Sequence, residues 1–505
     1  MVDRAPKFPG NDSRLLTDSE AFRAAGHALV DQIADFYASL PERPVTAGES
    51  PAQVRALLPE GGLPATGRPA QELLTEVAPL LFDHSLHNGH PRFLAYITSS
   101  ASPLGALADL LAASVNPNVG RFDVAPFATA VEQQTVSWLA ELVGFPVDCG
   151  GIMVSGGNMA NFLAFIAARQ ARTSWDVRHA GLQGDARRLT AYVSAEAHTW
   201  VDKAADVGGL GADAIRWVET DTEQRMVPDA LRAQIAADRA DGRLPFLVVG
   251  TAGTTGTGAI DPLPELAAIA KDAGLWFHVD GAYGAPAAAL PEAPPALKAL
   301  SLADSVALDP HKWLYSPLEA ACVLVREAET LSAAFSFLPS YYKVDQVKDD
   351  EAPVVNFYNL GMQNSRSFRA LKVWLGLRNV GRDGIIEMIR SDIALIAELH
   401  AHVQAHAEFE TRSLSLSITT FRYRPTDLPD DDQTADYLNR LNRRLLDELQ
   451  GAGEAFVSNA LIDDAFWLRA CVVNFRTTAA DMAAIPDIIA RLGRQLDNAM
   501  RSNAQ

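Results

Sequence analysis

Apolar positions along the chain fall into three successive rhythms. From Thr17 to Leu40 they recur at helical spacing, with Leu29, Ile33 and Phe36 on one face, until Pro41 and Pro44 stop the run. A connector rich in proline and glycine follows, from Pro41 to Arg68. From about residue 150 short apolar runs alternate with amphipathic stretches. The runs GIMVS, LTAYVS, AIRWVET, FLVVGTAG, LWFHVD, DSVALD and ACVLVRE are the strand candidates. Between them, PLPELAAIAKDAG sets Leu263, Leu266, Ala267 and Ala270 on one helical face. Such alternation predicts βαβ units and a mostly parallel sheet covered on both faces. Reactive groups in a sheet of this kind collect where the carboxyl ends of strands open into a crevice. After about residue 365 a long helix, SFRALKVWLGLRNVG, continues through Ile385 to His406. The strands SLSITTFRYR and LRACVVNFRTT come next, then a terminal helix near Thr478, where Thr478 and Asp481 form an N-cap pair. This order predicts a smaller α+β unit at the C-terminus.

Composition narrows the function classes. A chain of 505 residues has room for two or three domains, and 48% apolar with 21% charged residues is ordinary for a soluble globular protein. The net charge of −19 gives a nucleic-acid role no electrostatic support. The start, MVDRAPKFPGNDSRLL, has no apolar h-region, and no run of about 18 uncharged apolar residues follows, so neither secretion nor a membrane span is expected. Cys149, Cys322 and Cys471 lie far apart and show neither metal spacing nor a disulfide framework, which fits core cysteines in a reducing cytoplasm.

Three motifs stand where strands should end. In VSGGNMANFLAF an apolar strand runs into Ser155, Gly156, Gly157 and Asn158 and then a helix. Glycines at a helix start let backbone N–H groups approach an anion, although many such turns carry glycine for steric reasons alone. In LWFHVDGAYGAP the strand ends on Asp280, either a turn cap or a carboxylate held for a cationic nitrogen. In DSVALDPHKW, Lys312 follows Asp309, Pro310 and His311, either as a surface lysine or as an amine poised to attack a carbonyl. Taken together, an anion cradle, a strand-end carboxylate and a lysine 32 residues later match the three needs of pyridoxal 5'-phosphate (PLP).

The chain resembles the group II PLP-dependent amino-acid decarboxylases, and within them the aromatic L-amino acid decarboxylases. The resemblance runs nearly the whole length, from FRAAGHALVDQIADFY through HPRFLAY, AEAHTWVDKAA, HVDGAY and DPHKW to CVVNFRTT. It implies the fold-type I architecture: α/β, with a mostly parallel seven-stranded sheet. The expected parts are an N-terminal helical dimerisation segment (1–97), a large PLP-binding domain (98–372) and a small α+β domain (373–505). It also implies a cytoplasmic homodimer with its active sites at the subunit interface, acting on a small-molecule amino acid.

By the same resemblance Lys312 is the lysine that bonds to the cofactor aldehyde, and Asp280 keeps the ring nitrogen protonated. Gly157 and Asn158 match the phosphate turn, with His311 beside it. His198 matches the histidine that stacks on the ring, Ala282 the small residue on its other face, and Thr255 a neighbour of the ring substituents. In FLPSYYKVD, Tyr341 matches the tyrosine that protonates the product carbon, with Tyr342 as the adjacent register. Relatives that make aldehydes usually replace this tyrosine or the stacking histidine, so decarboxylation to an amine is expected. The substrate pocket departs from the family pattern, with Tyr96, Ile97, Asn118 and Ser365 as its candidates. Arg121 reads either as a partner for an acidic substrate or as an interface arginine, and the latter is favoured. Tyrosine, DOPA, tryptophan or phenylalanine are the expected substrates. The alternatives are glutamate or 2,4-diaminobutyrate, or an aromatic aldehyde synthase.

Overall fold

The computed structural model describes residues 18–337 and 354–502. A short strand, β1 (Phe93–Leu94), ends the N-terminal part. Seven strands then follow: β2 (Gly150–Val154), β3 (Leu189–Ser194), β4 (Ile215–Val218), β5 (Leu244–Thr251), β6 (Trp276–Asp280), β7 (Ser305–Leu308) and β8 (Ala321–Val325). Each coincides with one of the seven apolar runs, and together they form one sheet in the order β2-β8-β7-β6-β5-β3-β4. Neighbours from β7 to β4 pair in parallel, whereas β8 is antiparallel to both β7 and β2. Strand β2 is therefore parallel to β7, and β2, β3, β5, β6 and β7 all point their carboxyl ends at one edge. Helices such as Gly157–Arg172 and Leu263–Asp272 cover the faces, which is why strands β3 and β6 to β8 are buried throughout.

The second sheet has five strands: β1 joins β9 (Phe409–Ser415), β10 (Ile418–Tyr423), β11 (Phe456–Ile462) and β12 (Ala465–Cys471) in the order β1-β11-β12-β10-β9. The run SLSITTFRYR holds one strand, β10, as expected, and its first residues form the tight turn that leads into it from β9. Leu416 makes that turn with φ 49°, and residues 415 and 418 pair across it. A leucine in the left-handed region carries no turn signal, so the turn could not be read from composition. Strand β11 and the helix Ala70–Asp83 were not anticipated either.

Helix Asp432–Ala452 covers this sheet with Leu438, Leu441, Leu445 and Leu449, all buried and at helical spacing. Each contributes roughly 1.5–3 kcal/mol by leaving water. Helix Ala479–Ser502 adds Met482, Ile485, Ile489, Leu492 and Leu496. Its start is the expected cap: Thr478 Oγ1 donates to Asp481 Oδ2 at 2.6 Å, and Asp481 N donates back to Thr478 Oγ1 at 3.4 Å. The long helix Ala370–Ala405 is interrupted at Gly381, whose φ of 72° and ψ of 169° suit glycine alone.

Two of the motifs quoted above meet in space. Strand β1, from HPRFLAY, pairs in parallel with β11, setting Phe93 against Phe456 with ring centroids 5.8 Å apart. Asn474 Nδ2 donates to His90 O, Thr477 Oγ1 to Pro91 O, and Arg92 Nε to Asp481 Oδ1, so the N-terminal segment is stitched to the C-terminal sheet. Among the described residues no helix is long and apolar enough to cross a membrane.

Candidate active site

One cavity of about 270 Å³ opens at the edge where the carboxyl ends gather. Five of the six parallel strands supply groups to it through the loops that follow, the edge strand β4 being the exception. Strand β2 delivers Gly156, Gly157 and Asn158; β3 delivers His198 and Trp200; β5 delivers Thr251, Gly253 and Thr255. Strand β6 brings Asp280, Ala282 and Tyr283, and β7 brings Asp309, His311 and Lys312. All eight cofactor-contact candidates from the sequence therefore line one cavity. Gly156, Asn161, Trp200, Thr251, Gly253, Tyr283 and Asp309 are lining residues that sequence reasoning did not assign. Trp200 and Asp309 stood inside quoted motifs, AEAHTW and DPHKW, which was the available signal.

Asp280 is 7% exposed, and its carboxylate has a donor on each oxygen. Trp200 Nε1 donates to Oδ2 at 2.7 Å and the Ala282 amide to Oδ1 at 3.2 Å. Lys312 Nζ lies 3.0 Å from Asp309 Oδ2, and His311 Nε2 lies 3.6 Å from the same atom. Burial lowers the pKa of both His311 and His198 below the ordinary imidazole value, so both rings are neutral near pH 7. Their tautomers follow from their partners. His311 Nδ1 accepts from the Ala320 amide and His198 Nδ1 from the Trp200 amide, which leaves the proton on Nε2 in each.

The turn carrying Lys312 is anchored from behind. Trp313, wholly buried, stacks on Tyr283 at 4.9 Å, and its Nε1 donates to Asp392 Oδ2 at 2.9 Å. Tyr315 donates its hydroxyl to the same oxygen at 2.7 Å. Tyr283 in turn shares a 2.6 Å bond with Ser417, from the turn between β9 and β10.

These residues fit pyridoxal phosphate. A methyl group on Gly157 would come within 2.7 Å of Asp309 Oδ2 and 3.2 Å of Ala282 Cβ, so the turn requires glycine to stay open. The helix Gly157–Arg172 begins there, and the first N–H groups of a helix favour an anion. Asp309 Oδ1 and Thr251 Oγ1 are buried at the cavity without hydrogen-bond partners among the described residues, as expected of groups that await a ligand.

The four substrate-pocket candidates are not brought to this cavity. Tyr96 is 51% exposed with φ 54°, and its carbonyl accepts from Arg469. Ile97 packs against the large-sheet core, and Asn118 Oδ1 accepts from the Arg366 amide at 3.0 Å. Ser365 is exposed in this chain. Arg121 chelates Asp123 through Nε and Nη2. Tyr341 and Tyr342 lie outside the described residues. No cluster of metal-ligating side chains occurs among the described residues.

Comparison with known proteins agrees with this chemistry. The chain is 35% identical over 475 residues to an aromatic-L-amino-acid decarboxylase of Bacillus atrophaeus, covering 93% of this chain and 95% of the relative. The crystal structure of Oryza sativa TDC with PLP and tryptamine superposes with a TM-score of 0.87 at 26% identity, over 96% of this chain and 99% of that one. The Rhodiola rosea 4-hydroxyphenylacetaldehyde synthase structure matches with a TM-score of 0.83 at 27% identity, over 96% and 99% of the two chains. The family model of the pyridoxal-dependent decarboxylase conserved domain matches residues 51–424, spanning the whole cavity. The chain therefore belongs to that family and is a PLP-dependent amino-acid decarboxylase.

Proposed function

We propose that the protein converts an aromatic L-amino acid to its amine and carbon dioxide, working as a homodimer. The observation that carries the reading is the convergence of Lys312, Asp280, His198 and the Gly157–Asn158 turn on one cavity. Bound there, pyridoxal phosphate supplies a protonated ring that takes up the negative charge left at the substrate Cα.

The side chains have separable tasks. Gly157 and Asn158 at the helix start hold the phosphate, with the neutral His311 beside them. Asp280, fixed by two donors, would keep a proton on the ring nitrogen. Lys312 Nζ would hold the cofactor through its aldehyde, and Asp309 Oδ2, 3.0 Å away, positions that amine. The neutral ring of His198 and the methyl of Ala282 give the cofactor flat, uncharged walls. In this reading Tyr341 returns a proton to Cα, on the strength of its motif. The site would have to hold the substrate's Cα–carboxylate bond perpendicular to the cofactor ring, and such orientation supplies roughly 7–11 kcal/mol in favourable cases.

The dimer reading is supported by apolar faces left open in one chain. Helix Ala70–Asp83 stacks Phe82 on Phe36 of helix Ser19–Ser39 at 4.7 Å, yet exposes Leu73, Leu74, Val77 and Leu81 along one face. Helix Pro103–Val115 exposes Leu107, Leu110 and Leu111 in the same manner. A second copy of this chain would cover them. Tyr96, Ile97, Asn118 and Ser365 then serve as substrate contacts near that interface.

The test is product identification with PLP-loaded protein and a panel of tyrosine, DOPA, tryptophan, phenylalanine, glutamate and 2,4-diaminobutyrate. An aromatic amine is expected. An aldehyde with ammonia would overturn the role of Tyr341, and turnover of glutamate or diaminobutyrate alone would overturn the aromatic substrate. Light scattering on the eluting protein should give twice the mass of one chain.

A further inference from the structure

We propose that Trp200 is a positioning residue for the reaction, acting through Asp280. The indole is 2% exposed, and its Nε1 donates to Asp280 Oδ2 at 2.7 Å, the shorter of the two bonds this carboxylate accepts. A carboxylate that must hold a proton on a flat ring has to present one oxygen in the plane of that ring. The Ala282 amide, at 3.2 Å, constrains Oδ1 only loosely. The indole N–H sets the rotation of the whole group.

The surroundings explain why a neutral donor does this task. His278 sits two residues earlier on β6, its side chain on the same face as that of Asp280. A charged imidazole there would pair with the carboxylate and weaken its hold on the cofactor. His278 is committed elsewhere. Trp276 Nε1 donates to Ser305 Oγ at 2.8 Å, so the Ser305 hydroxyl is directed to His278 Nδ1, also at 2.8 Å. His278 Nε2 then carries the proton and donates to Asn161 Oδ1 at 2.7 Å. Full burial also lowers the ring's pKa to about 4, so it stays neutral. Trp200 stands edge-on to this ring, with centroids 6.0 Å apart. The other titratable groups lining the cavity are His198 from the β3 side, Tyr283 from the β6 side, and Asp309, His311 and Lys312 from β7. Lys312 is paired with Asp309 at 3.0 Å. Asp280 is thus held by uncharged donors, and its charge is kept for the ring nitrogen.

The inference rests on Asp280 being the ring-nitrogen partner, and a double-mutant cycle separates the two claims. PLP affinity would be measured by equilibrium dialysis for the wild-type chain, Trp200→Phe, Asp280→Asn and the double variant. Trp200→Phe is expected to weaken binding about ten-fold, the loss of one charge-assisted hydrogen bond. In the Asp280→Asn background the same change is expected to have less than about a two-fold effect. Equal weakening in both backgrounds, or none in either, overturns the proposal. If Asp280→Asn binds PLP as tightly as the wild-type chain, the role of Asp280 itself falls.

A second readout is the ring-nitrogen shift of bound ¹⁵N-labelled PLP. In Trp200→Phe it should move toward the unprotonated pyridine value; no movement, or movement the other way, overturns the positioning role. Should the phenylalanine variant fold poorly, benzothienylalanine at position 200 keeps the indole shape without the N–H, and the same two measurements apply.

Discussion

The two sheets differ in strand direction, and the difference decides where chemistry collects. Six strands of the seven-stranded sheet point the same way, and the loops after five of them converge on one cavity. The C-terminal sheet is built largely of hairpins: β9 with β10 and β11 with β12 run antiparallel. Its strand ends alternate between opposite edges, and among the lining residues of the cavity none comes from it. Its contribution is support, as in the Ser417 bond to Tyr283 and the stitching of Asn474 to His90. Buried apolar area holds up both sheets; a shared strand direction is what builds a site.

Substitutions can break or sharpen this contrast. Lys312→Ala should have the largest effect, a loss of roughly 10³-fold or more in turnover, together with loss of the PLP adduct trapped by borohydride and seen by mass spectrometry. Asp280→Asn should lower kcat by roughly 10²-fold while the urea midpoint hardly moves. In the second sheet the pattern should invert. Leu441→Ala, at a wholly buried position, should cost about 2–5 kcal/mol in urea unfolding with kcat per bound PLP unchanged. A ten-fold fall in that kcat would mean that the two sheets do not divide the work as described.

The smallest effect concerns pH. Burial raises the pKa of Asp392 to about 7, against about 3.9 for an aspartate in an unfolded chain. Between those values the folded chain binds more protons than the unfolded one, so this group makes stability fall as pH rises from about 4 to about 7. Asp261, raised to about 6 by burial, acts in the same direction. Urea unfolding at a series of pH values should show the slope, and Asp392→Asn should flatten its upper part. An unchanged slope in that variant would rule out Asp392 as its source.

Much of this was legible in the sequence for a physical reason. The central strands of the large sheet are covered on both faces, so they read as continuous apolar runs closed by a polar or glycine residue. The same closing residues, Gly156, Asp280 and Asp309, are where the site begins. The second sheet was less legible. Strand β11, FVSNALI, mixes exposed Asn459 and Leu461 with buried neighbours, and the turn at Leu416 carries no glycine, asparagine or proline. The bond from Trp200 to Asp280 spans 80 positions, and nothing in the local pattern marks a tryptophan as a donor rather than core. The substrate candidates illustrate the opposite limit. They were placed by resemblance, and resemblance does not say which side chains one chain can bring to its own cavity.

The pairing of β1 with β11 also bears on how the molecule is made. Arg92 and Asp481, which meet beside that pairing, are 389 positions apart. A nascent polypeptide emerging from the ribosome exposes Phe93 and Leu94 long before Phe456 exists to receive them. The final closure of the N-terminal segment therefore waits for nearly complete synthesis, and long-range closure of this kind is slow. Truncated translation products ending before residue 456 would carry that strand edge unpaired, a ready target for quality-control proteases.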